Sequence, residues 1–280
     1  MKKISRRSFL AAAAVAAAAL ALTACGGSAS TASSAAASSV AASSEAASTS
    51  AAAAELTTVE AGKLTMATNA TFPPYEMTTD AGTIEGIDVD TAQAIAEKLG
   101  LELQIDDMDF DAALLSVQQG KADIAMAGIT VTDERMAVMS FSDSYATGIQ
   151  SVIVPEGSDI ASVDDLAGKK IGTQRGTTGY IYCSDDFGED SVVAYDSGLT
   201  AVQALNNGQV DAVVIDNAPA TEYVAANPGL KVLDTSYAEE DYAIGMAKGS
   251  ALEDAVNKAL EELKADGTLQ AIVDKYINAN

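Results

Sequence analysis

The sequence of 280 residues predicts an α/β fold with two lobes, preceded by a long N-terminal segment outside the folded part. From Lys63 onward, short apolar runs typical of strands alternate with amphipathic stretches typical of helices, which favours parallel-rich sheets flanked by helices. The same alternation restarts near residue 150, and the chain ends in two helical stretches. Two sequential α/β units with a returning C-terminal segment indicate two lobes joined by more than one crossing.

The spacing of apolar residues places the elements of each unit. In the first unit, strands and helices alternate over 64–68, 88–99, 101–105, 110–120 and 122–127. In the second unit and the C-terminal segment, the predicted elements cover 150–154, 163–166, 170–173, a helix opening at 176–179, 192–195, 199–206, 210–215, 252–265 and 269–277. Ligands bind beyond the carboxyl ends of strands in such sheets, so the loops after Thr68, Ala127 and Ile215 are candidates for a site.

The composition excludes several classes of function. The chain has no histidine and two cysteines, so a Ser-His-Asp triad, a histidine zinc site and a four-cysteine metal site cannot form. A net charge of −24 argues against a nucleic-acid partner. No cofactor or metal is expected, because the acidic residues lack the spacing of a calcium loop. We expect several of these carboxylates to form a solvated surface, namely Asp106, Asp107, Asp109, Asp185, Asp186, Glu239 and Glu240.

Residues 1–24 have the order of a bacterial lipoprotein signal peptide. Four basic residues precede an apolar run over 9–22, which is too short to span a membrane comfortably. Residues 22–25 read LTAC, which resembles the motif cleaved before a cysteine that receives lipid. We therefore expect lipidation of Cys25. The segment SRRSFL over 5–10 also resembles a twin-arginine signal, so the export route stays open.

Residues 25–60 are predicted to form a lipidated cysteine and a disordered tether. Of residues 26–55, 27 of 30 are Gly, Ala, Ser or Thr, and such a segment cannot bury enough apolar surface to offset its ordering entropy. Removal of residues 1–24 leaves 12 basic and 40 acidic side chains, a net charge of −28. This charge is repelled by anionic lipid, which favours a body that stands off the membrane. Cys183 is expected to be a small structural side chain.

Four motifs resemble the amino-acid-specific branch of the bacterial extracellular solute-binding proteins, the receptors of ABC importers. They are GIDVD at 86–90, AGITVTDER at 127–135, RGTTG at 175–179 and Ile215-Asp216. Thr91 departs from the pattern, where an aliphatic residue is usual. The resemblance implies a periplasmic-binding-protein-like type II fold. Its lobe one would cover 63–145 plus 246–280 and its lobe two 150–241, with crossings at 146–149 and 242–245.

The resemblance also implies how the site would hold a free α-amino acid, whose carboxylate and ammonium each need a counter-charge when buried. Arg135 is the candidate for the carboxylate, since a guanidinium donates two parallel hydrogen bonds. Gly128 and Thr130 would bring a backbone N–H and a hydroxyl to the same group. Thr178, at a helix N-terminus, would add free N–H groups. Asp216 is the candidate for the ammonium, with a helix N-cap as the alternative role.

The remaining candidates concern the ligand side chain. Phe72 and Phe110 align with family positions that line the pocket, and Tyr75 is expected at its rim. Relatives that select basic or amide side chains often carry Asp at the position of Asn69, so a neutral amide here predicts a polar neutral or modestly apolar amino acid. Two further residues, Gln174 and Arg175, are placed to contact a longer side chain.

The function implied is extracellular capture of an amino acid by a monomer and its delivery to an ABC permease, with the receptor lipid-anchored on the extracytoplasmic face of the cell membrane. Two alternatives remain open at this point. An aromatic-pathway dehydratase of the same fold would need an acid/base pair in the cleft. An amino-acid-sensing receptor would use the same binding domain, although no sensor domain or spanning helix is evident in the sequence.

Overall fold

The computed structural model describes residues 56–277. The predicted signal peptide, the lipidation site at Cys25 and most of the predicted tether lie outside the described residues. Leu56, the first described residue, packs against the core. The backbone N–H of Val59 donates to Asp123 Oδ1 at 2.8 Å. The folded body therefore starts before residue 60, the predicted end of the tether.

Fourteen strands occur in the described part of the chain. In chain order they are β1 (Lys63–Thr68), β2 (Thr71–Phe72), β3 (Glu76–Thr78), β4 (Ile84–Glu85), β5 (Glu102–Asp107), β6 (Ile124–Ala125), β7 (Met139–Phe141), β8 (Ala146–Pro155), β9 (Ile171–Gln174), β10 (Val192–Tyr195), β11 (Ala212–Asp216), β12 (Leu230–Val232), β13 (Ala238–Tyr242) and β14 (Gly245–Ala247).

Eight α-helices accompany these strands within residues 56–277. They are α1 (Ile87–Leu99), α2 (Phe110–Gln118), α3 (Asp133–Val138), α4 (Thr178–Phe187), α5 (Gly198–Asn206), α6 (Asn217–Ala226), α7 (Glu253–Ala265) and α8 (Thr268–Tyr276). Short 3-10 turns cover Val163–Leu166 and Glu189–Ser191. Within these residues, no helix has the length and apolar character that crossing a membrane requires.

Each lobe contains a mixed sheet with a parallel core. The sheet of lobe one has the order β5-β1-β6-β14-β7, in which β1 is parallel to β5 and β6. The sheet of lobe two has the order β10-β9-β11-β8-β12, with β13 also paired to β8, and β9 is parallel to β10 and β11. The returning strands β14 and β13 are antiparallel to their neighbours. A small antiparallel sheet, β2-β3-β4, follows β1.

Two segments that run side by side join the lobes. The first leads from β7 into β8, and the second leads from β13 into β14. The N–H of Ser142 donates to the carbonyl of Ile244 at 3.0 Å, and that of Tyr145 donates to the carbonyl of Tyr242 at 2.9 Å. Residues 146–149, a predicted crossing, pair with β13 as the first part of β8. The exact lobe limits stay predictions, because they depend on which residues move when the lobes rotate.

Apolar burial explains the stability of both lobes. In lobe one, Leu64, Ile95 and Leu260 are fully buried, so α1 and α7 pack together against the sheet. Lobe two buries a separate cluster that includes Val152 and the free thiol of Cys183, on α4. Burial raises the pKa of Cys183 to about 12, so the thiol stays protonated. This agrees with a structural role for this cysteine.

Candidate ligand-binding site

A cavity lies between the lobes, where β1, β6, β9 and β11 reach their carboxyl ends. The space between its wall atoms, part of which is open to solvent, amounts to about 320 Å³. Its lining residues are Asn69, Phe72, Glu76, Phe110, Ala127, Gly128, Thr130, Arg135, Gln174, Thr177, Thr178 and Asp216. The structure therefore brings together eight of the nine predicted ligand-binding residues, and Tyr75 is the exception.

Arg135 lies on α3 and is 9% exposed. The hydroxyl of Thr132 caps this helix by accepting the Arg135 N–H at 3.2 Å. The guanidinium donates from Nη1 to the carbonyl of Thr130 at 2.7 Å and from Nη2 to the carbonyl of Gly176 at 3.1 Å. Its Cζ lies 5.4 Å from the centre of the Phe110 ring. Among residues 56–277, no carboxylate forms an ion pair with Arg135, so its charge is available to an anion.

Neighbouring residues determine the backbone conformation and the hydrogen bond of Gly128. Its φ of +55° favours glycine, and a Cβ would approach the Phe72 ring to 2.7 Å. Its N–H donates to Asp88 Oδ2 at 3.0 Å. In this arrangement Asp88 accepts the N–H that was expected to bind the ligand, so the ligand-binding role of this N–H stays a prediction. Burial raises the pKa of Asp88 to about 6, against the effect of this hydrogen bond.

Glu240 is the centre of a polar network that the sequence did not indicate. Its Oε2 accepts from the Thr130 hydroxyl at 3.2 Å and from the Thr178 hydroxyl at 3.0 Å. The same oxygen accepts from Gln150 Nε2 at 2.9 Å. Glu240 is 5% exposed, so the prediction that it belongs to a solvated surface is wrong. Its carboxylate accepts from the Thr130 hydroxyl, which the sequence assigned to a ligand carboxylate.

Asp216 ends β11 and directly precedes α6. It occupies the N-cap position, yet its side chain makes no capping hydrogen bond. Instead, Oδ2 accepts from Gln150 Nε2 at 2.9 Å, and Oδ1 is buried with no hydrogen-bond partner. Burial raises the pKa of Asp216 to about 7, and the charge of Glu240 adds to the rise. A cation placed beside Oδ1 would satisfy this oxygen and favour the ionised carboxylate.

The aromatic residues form one wall of the cavity and its support. Phe72 and Phe110 both line the cavity. Tyr75 is 4% exposed and stacks behind Phe72, with ring centres 5.9 Å apart, and it meets the edge of Tyr242 at 5.2 Å. Tyr75 does not line this cavity, but it lines an adjoining groove together with Asp216, so its place at the rim stays a prediction. Tyr75 supports the wall from behind.

Polar side chains close the opposite end of the cavity. Asn69 Oδ1 accepts from Gln174 Nε2 at 2.9 Å, and Asn69 Nδ2 donates to the carbonyl of Met108 at 2.9 Å. Glu76 also lines this cavity and is fully buried, a position that the sequence analysis missed. Arg175 is exposed, pairs with Asp196 at 3.7 Å and does not line the cavity. Of the two residues proposed for a longer side chain, only Gln174 is in place.

The lobes touch each other around the cavity. The bonds from Arg135 to Gly176 and from Gln174 to Asn69 each join one lobe to the other. The hydroxyl of Tyr223, on α6, donates to the carbonyl of Thr71. The part of the cavity that is wide enough for a molecule has room for roughly one or two water molecules. Entry of a larger molecule therefore requires the lobes to separate.

Residues 64–279 match the sequence profile of the bacterial extracellular solute-binding proteins, family 3. The chain belongs to this family. The ABC transporter arginine-binding protein 1 of Escherichia coli (strain K12) is 32% identical over 222 residues, which cover 77% of this chain and 91% of that protein. The family is extracellular, and this member is a substrate-binding protein of an amino acid ABC transporter.

Solved structures support the same assignment. The arginine-, lysine-, histidine-binding protein ArtJ of Geobacillus stearothermophilus is 34% identical, with a TM-score of 0.75 over 78% of this chain and 96% of that chain. An ancestral arginine-binding protein was solved with arginine and with glutamine. The arginine-bound structure is 42% identical, with a TM-score of 0.74 over 78% of this chain and 99% of that chain. The glutamine-bound structure is 41% identical, with a TM-score of 0.73 over 77% and 98%.

Proposed function

We propose that the protein captures a free L-amino acid in the cavity between its lobes, with the α-carboxylate on Arg135 and the α-ammonium on Asp216. The observation that supports this most strongly is that two buried charged groups line the same cavity. The Arg135 guanidinium has no acidic partner in the described residues, and Oδ1 of Asp216 has no hydrogen-bond partner there. Both charges are costly to bury alone, and a zwitterion satisfies both. Thr130 and Thr178 would turn their hydroxyls from Glu240 to the ligand.

Binding favours closure because the two charges belong to different lobes. Arg135 belongs to lobe one, and Asp216 belongs to lobe two. A ligand that contacts both binds the closed form more tightly than the open form and so shifts the population toward closure. The permease would then receive the ligand from the closed receptor.

The side chain of the ligand is proposed to be polar. Asn69, Gln174 and Glu76 supply amide and carboxyl groups at one end of the cavity, and Phe72 and Phe110 supply apolar cover. The prediction of a polar neutral or modestly apolar amino acid rests on Asn69. One relative is named for arginine, and the ancestral protein was solved with arginine and with glutamine. We therefore add amino acids with cationic side chains to the candidate ligands.

The receptor is further proposed to be a monomer anchored by lipid at Cys25 on the extracytoplasmic face of the membrane. A tether would hold it near the ABC permease at high effective concentration. We propose no catalytic role. Asp216 and Glu240 do provide an acid pair in the cleft, as the dehydratase alternative requires, so the experiment below also tests for turnover.

A thermal-shift screen of the twenty amino acids tests this function. A ligand at 100 times its Kd stabilises the folded state by about 2.7 kcal/mol, which raises Tm by roughly 5–10 °C for a domain of this size. We expect such a rise for one or a few amino acids, and mass spectrometry should recover them unchanged. If no amino acid raises Tm, the binding role is wrong. Conversion of the ligand would favour the enzyme.

A further inference from the structure

Gln150 is a buried side chain next to the cavity to which the proposed function assigns no role. It is 1% exposed and does not line the cavity. It lies on β8, directly opposite Asp216 of β11, and on its other side it faces Ala238 of β13. Glu240 follows two residues after Ala238 and therefore points to the same face. The register of three strands thus brings Gln150, Asp216 and Glu240 together on one face of the sheet.

One nitrogen of Gln150 joins the two acids. Its Nε2 donates to Asp216 Oδ2 at 2.9 Å and to Glu240 Oε2 at 2.9 Å. A primary amide has two N–H groups, so each carboxylate can accept one of them. Within residues 56–277, no lysine or arginine forms an ion pair with either acid. The amide therefore holds side by side two carboxylates that would otherwise repel each other.

The neutrality of this amide leaves the charge of Asp216 free for a ligand. A lysine in its place would neutralise the site, and a glutamate would add a third acid. The amide bond takes Oδ2 of Asp216, while Oδ1 is buried and has no hydrogen-bond partner in the described residues. Burial raises the pKa of Asp216 to about 7, and the bond from Gln150 acts against this rise because it stabilises the ionised carboxylate.

We propose that Gln150 is a positioning residue for ligand binding: its amide aligns the Asp216 carboxylate and leaves Oδ1 to the α-ammonium of the amino acid. This rests on the proposed function, because it takes Asp216 as the site of the ammonium. Gln150 does not touch the ligand and acts through Asp216. Without the amide, the two carboxyl groups turn apart or share a proton. Binding must then restore an aligned and ionised Asp216, so the affinity falls.

Gly179 on α4 makes room for the other end of the same amide. Oε1 of Gln150 has no hydrogen-bond partner in the described residues. A Cβ at Gly179 would lie 2.8 Å from this Oε1, closer than a real Cβ comes to another atom, and 3.5 Å from Val214. An alanine at this position therefore displaces the amide from the two acids. Gly179 offers a second way to disturb Gln150 without changing Gln150 itself.

The test is a double-mutant cycle of Gln150→Met and Asp216→Asn, measured by isothermal titration calorimetry of the whole protein. The probe is the amino acid that raises Tm most in the thermal-shift screen, with L-glutamine and L-arginine tried first. Methionine keeps the length of the side chain and lacks the donor. We expect Gln150→Met to weaken binding at least about tenfold in the wild type, but less than about threefold when Asp216 is already Asn.

Equal losses in the two backgrounds would overturn the proposal, because a glutamine that only supports the fold weakens binding whatever the charge at position 216. Unchanged affinity of Gln150→Met in the wild type would overturn it as well. Gln203→Met is the matched control, since Gln203 is exposed on α5 of the same lobe. It should bind the probe as the wild type does.

Gly179→Ala keeps the proposal testable if Gln150→Met does not fold. We expect Gly179→Ala to weaken the probe at least about threefold in the wild type, and to have no further effect when Asp216 is Asn. Affinity unchanged by Gly179→Ala would contradict the proposal.

The failure of this inference can be told from the failure of the proposed function. If an amino acid binds but the losses are equal in both backgrounds, the positioning role is wrong and the receptor role stands. If no amino acid raises Tm, the proposed function is wrong and this inference falls with it.

Discussion

Arg135 shows how much a single residue depends on the elements around it. The TxxR spacing puts its backbone N–H on the capping hydroxyl of Thr132 and its side chain against Phe110. Burial lowers the pKa of Arg135, although the guanidinium stays charged. The motif predicted this residue from the sequence. It did not predict the bond to Gly176, because that contact joins segments that lie in different lobes.

The first prediction concerns Arg135→Ala. The variant loses the charge-assisted bonds to the ligand carboxylate, so we expect a loss of affinity of at least about 3 kcal/mol. The free protein loses two bonds to backbone carbonyls and should be destabilised by about 1–3 kcal/mol. Calorimetric titration and thermal unfolding measure the two effects. Arg175→Ala, at an exposed arginine outside the cavity, is the control and should retain affinity; retained affinity in Arg135→Ala would rule out its assigned role.

The second prediction concerns Asp216→Asn. The variant keeps an acceptor but removes the charge, so ligand affinity should fall by about 2 kcal/mol, roughly thirtyfold. Because burial raises the pKa of Asp216, its ionised form is costly in the free protein. The ligand-free Asp216→Asn protein should therefore have an equal or higher Tm at pH 8. A lower Tm with unchanged affinity would indicate a structural N-cap role instead.

At the scale of elements, the sequence predicted six of the eight helices in the described residues, the parallel strands and part of β8, but it missed α3, α6 and the other antiparallel strands. The apolar spacing placed α1, α5 and α7 to within about two residues. Strands β12 and β13 have mixed polarity, because each lies beside β8 near the surface or the cleft, and no clear period results. The buried acids Glu76 and Glu240 were missed for a related reason: their burial comes from the packing of distant segments.

Gly148 offers a test of how tightly β8 packs at the crossing. A Cβ there would lie 2.5 Å from the Tyr242 ring and 2.6 Å from Asp216 Oδ1. Gly148→Ala should therefore destabilise the protein by about 1–3 kcal/mol and weaken ligand binding. Gly157→Ala is the matched control, since a Cβ at that glycine meets nothing within 4 Å. Urea denaturation compares the two variants, and equal midpoints would show that the crossing is loosely packed.

At the scale of the molecule, the chain carries a net charge of −24, and several of its acidic side chains are buried in and behind the cleft. Their pKa values are raised to about 7 for Asp216 and to about 6 for Asp88, from an ordinary value of 3.8. The folded state therefore binds more protons than the unfolded state between about pH 4 and pH 7. Protonation of these acids favours folding, and this contribution is lost as pH rises through their folded pKa values.

We accordingly expect the Tm of the ligand-free protein to fall as pH rises from 5 to 7.5. Each proton that the folded state binds in excess of the unfolded state lowers the free energy of unfolding by about 1.4 kcal/mol per pH unit of increase. Differential scanning calorimetry at constant ionic strength measures this slope. Asp216→Asn should flatten it, because one of the titrating groups is gone. A Tm that rises over this range would contradict the inference that these buried acids bind more protons in the folded state than in the unfolded state.

The thiol of Cys183 lies in the apolar core of lobe two, with no counterpart in the core of lobe one. Its shielding makes it a natural reporter: an alkylating reagent can modify it only after that half of the molecule has opened. The rate of labelling, compared with the loss of overall structure, would reveal whether the receptor unravels one half at a time.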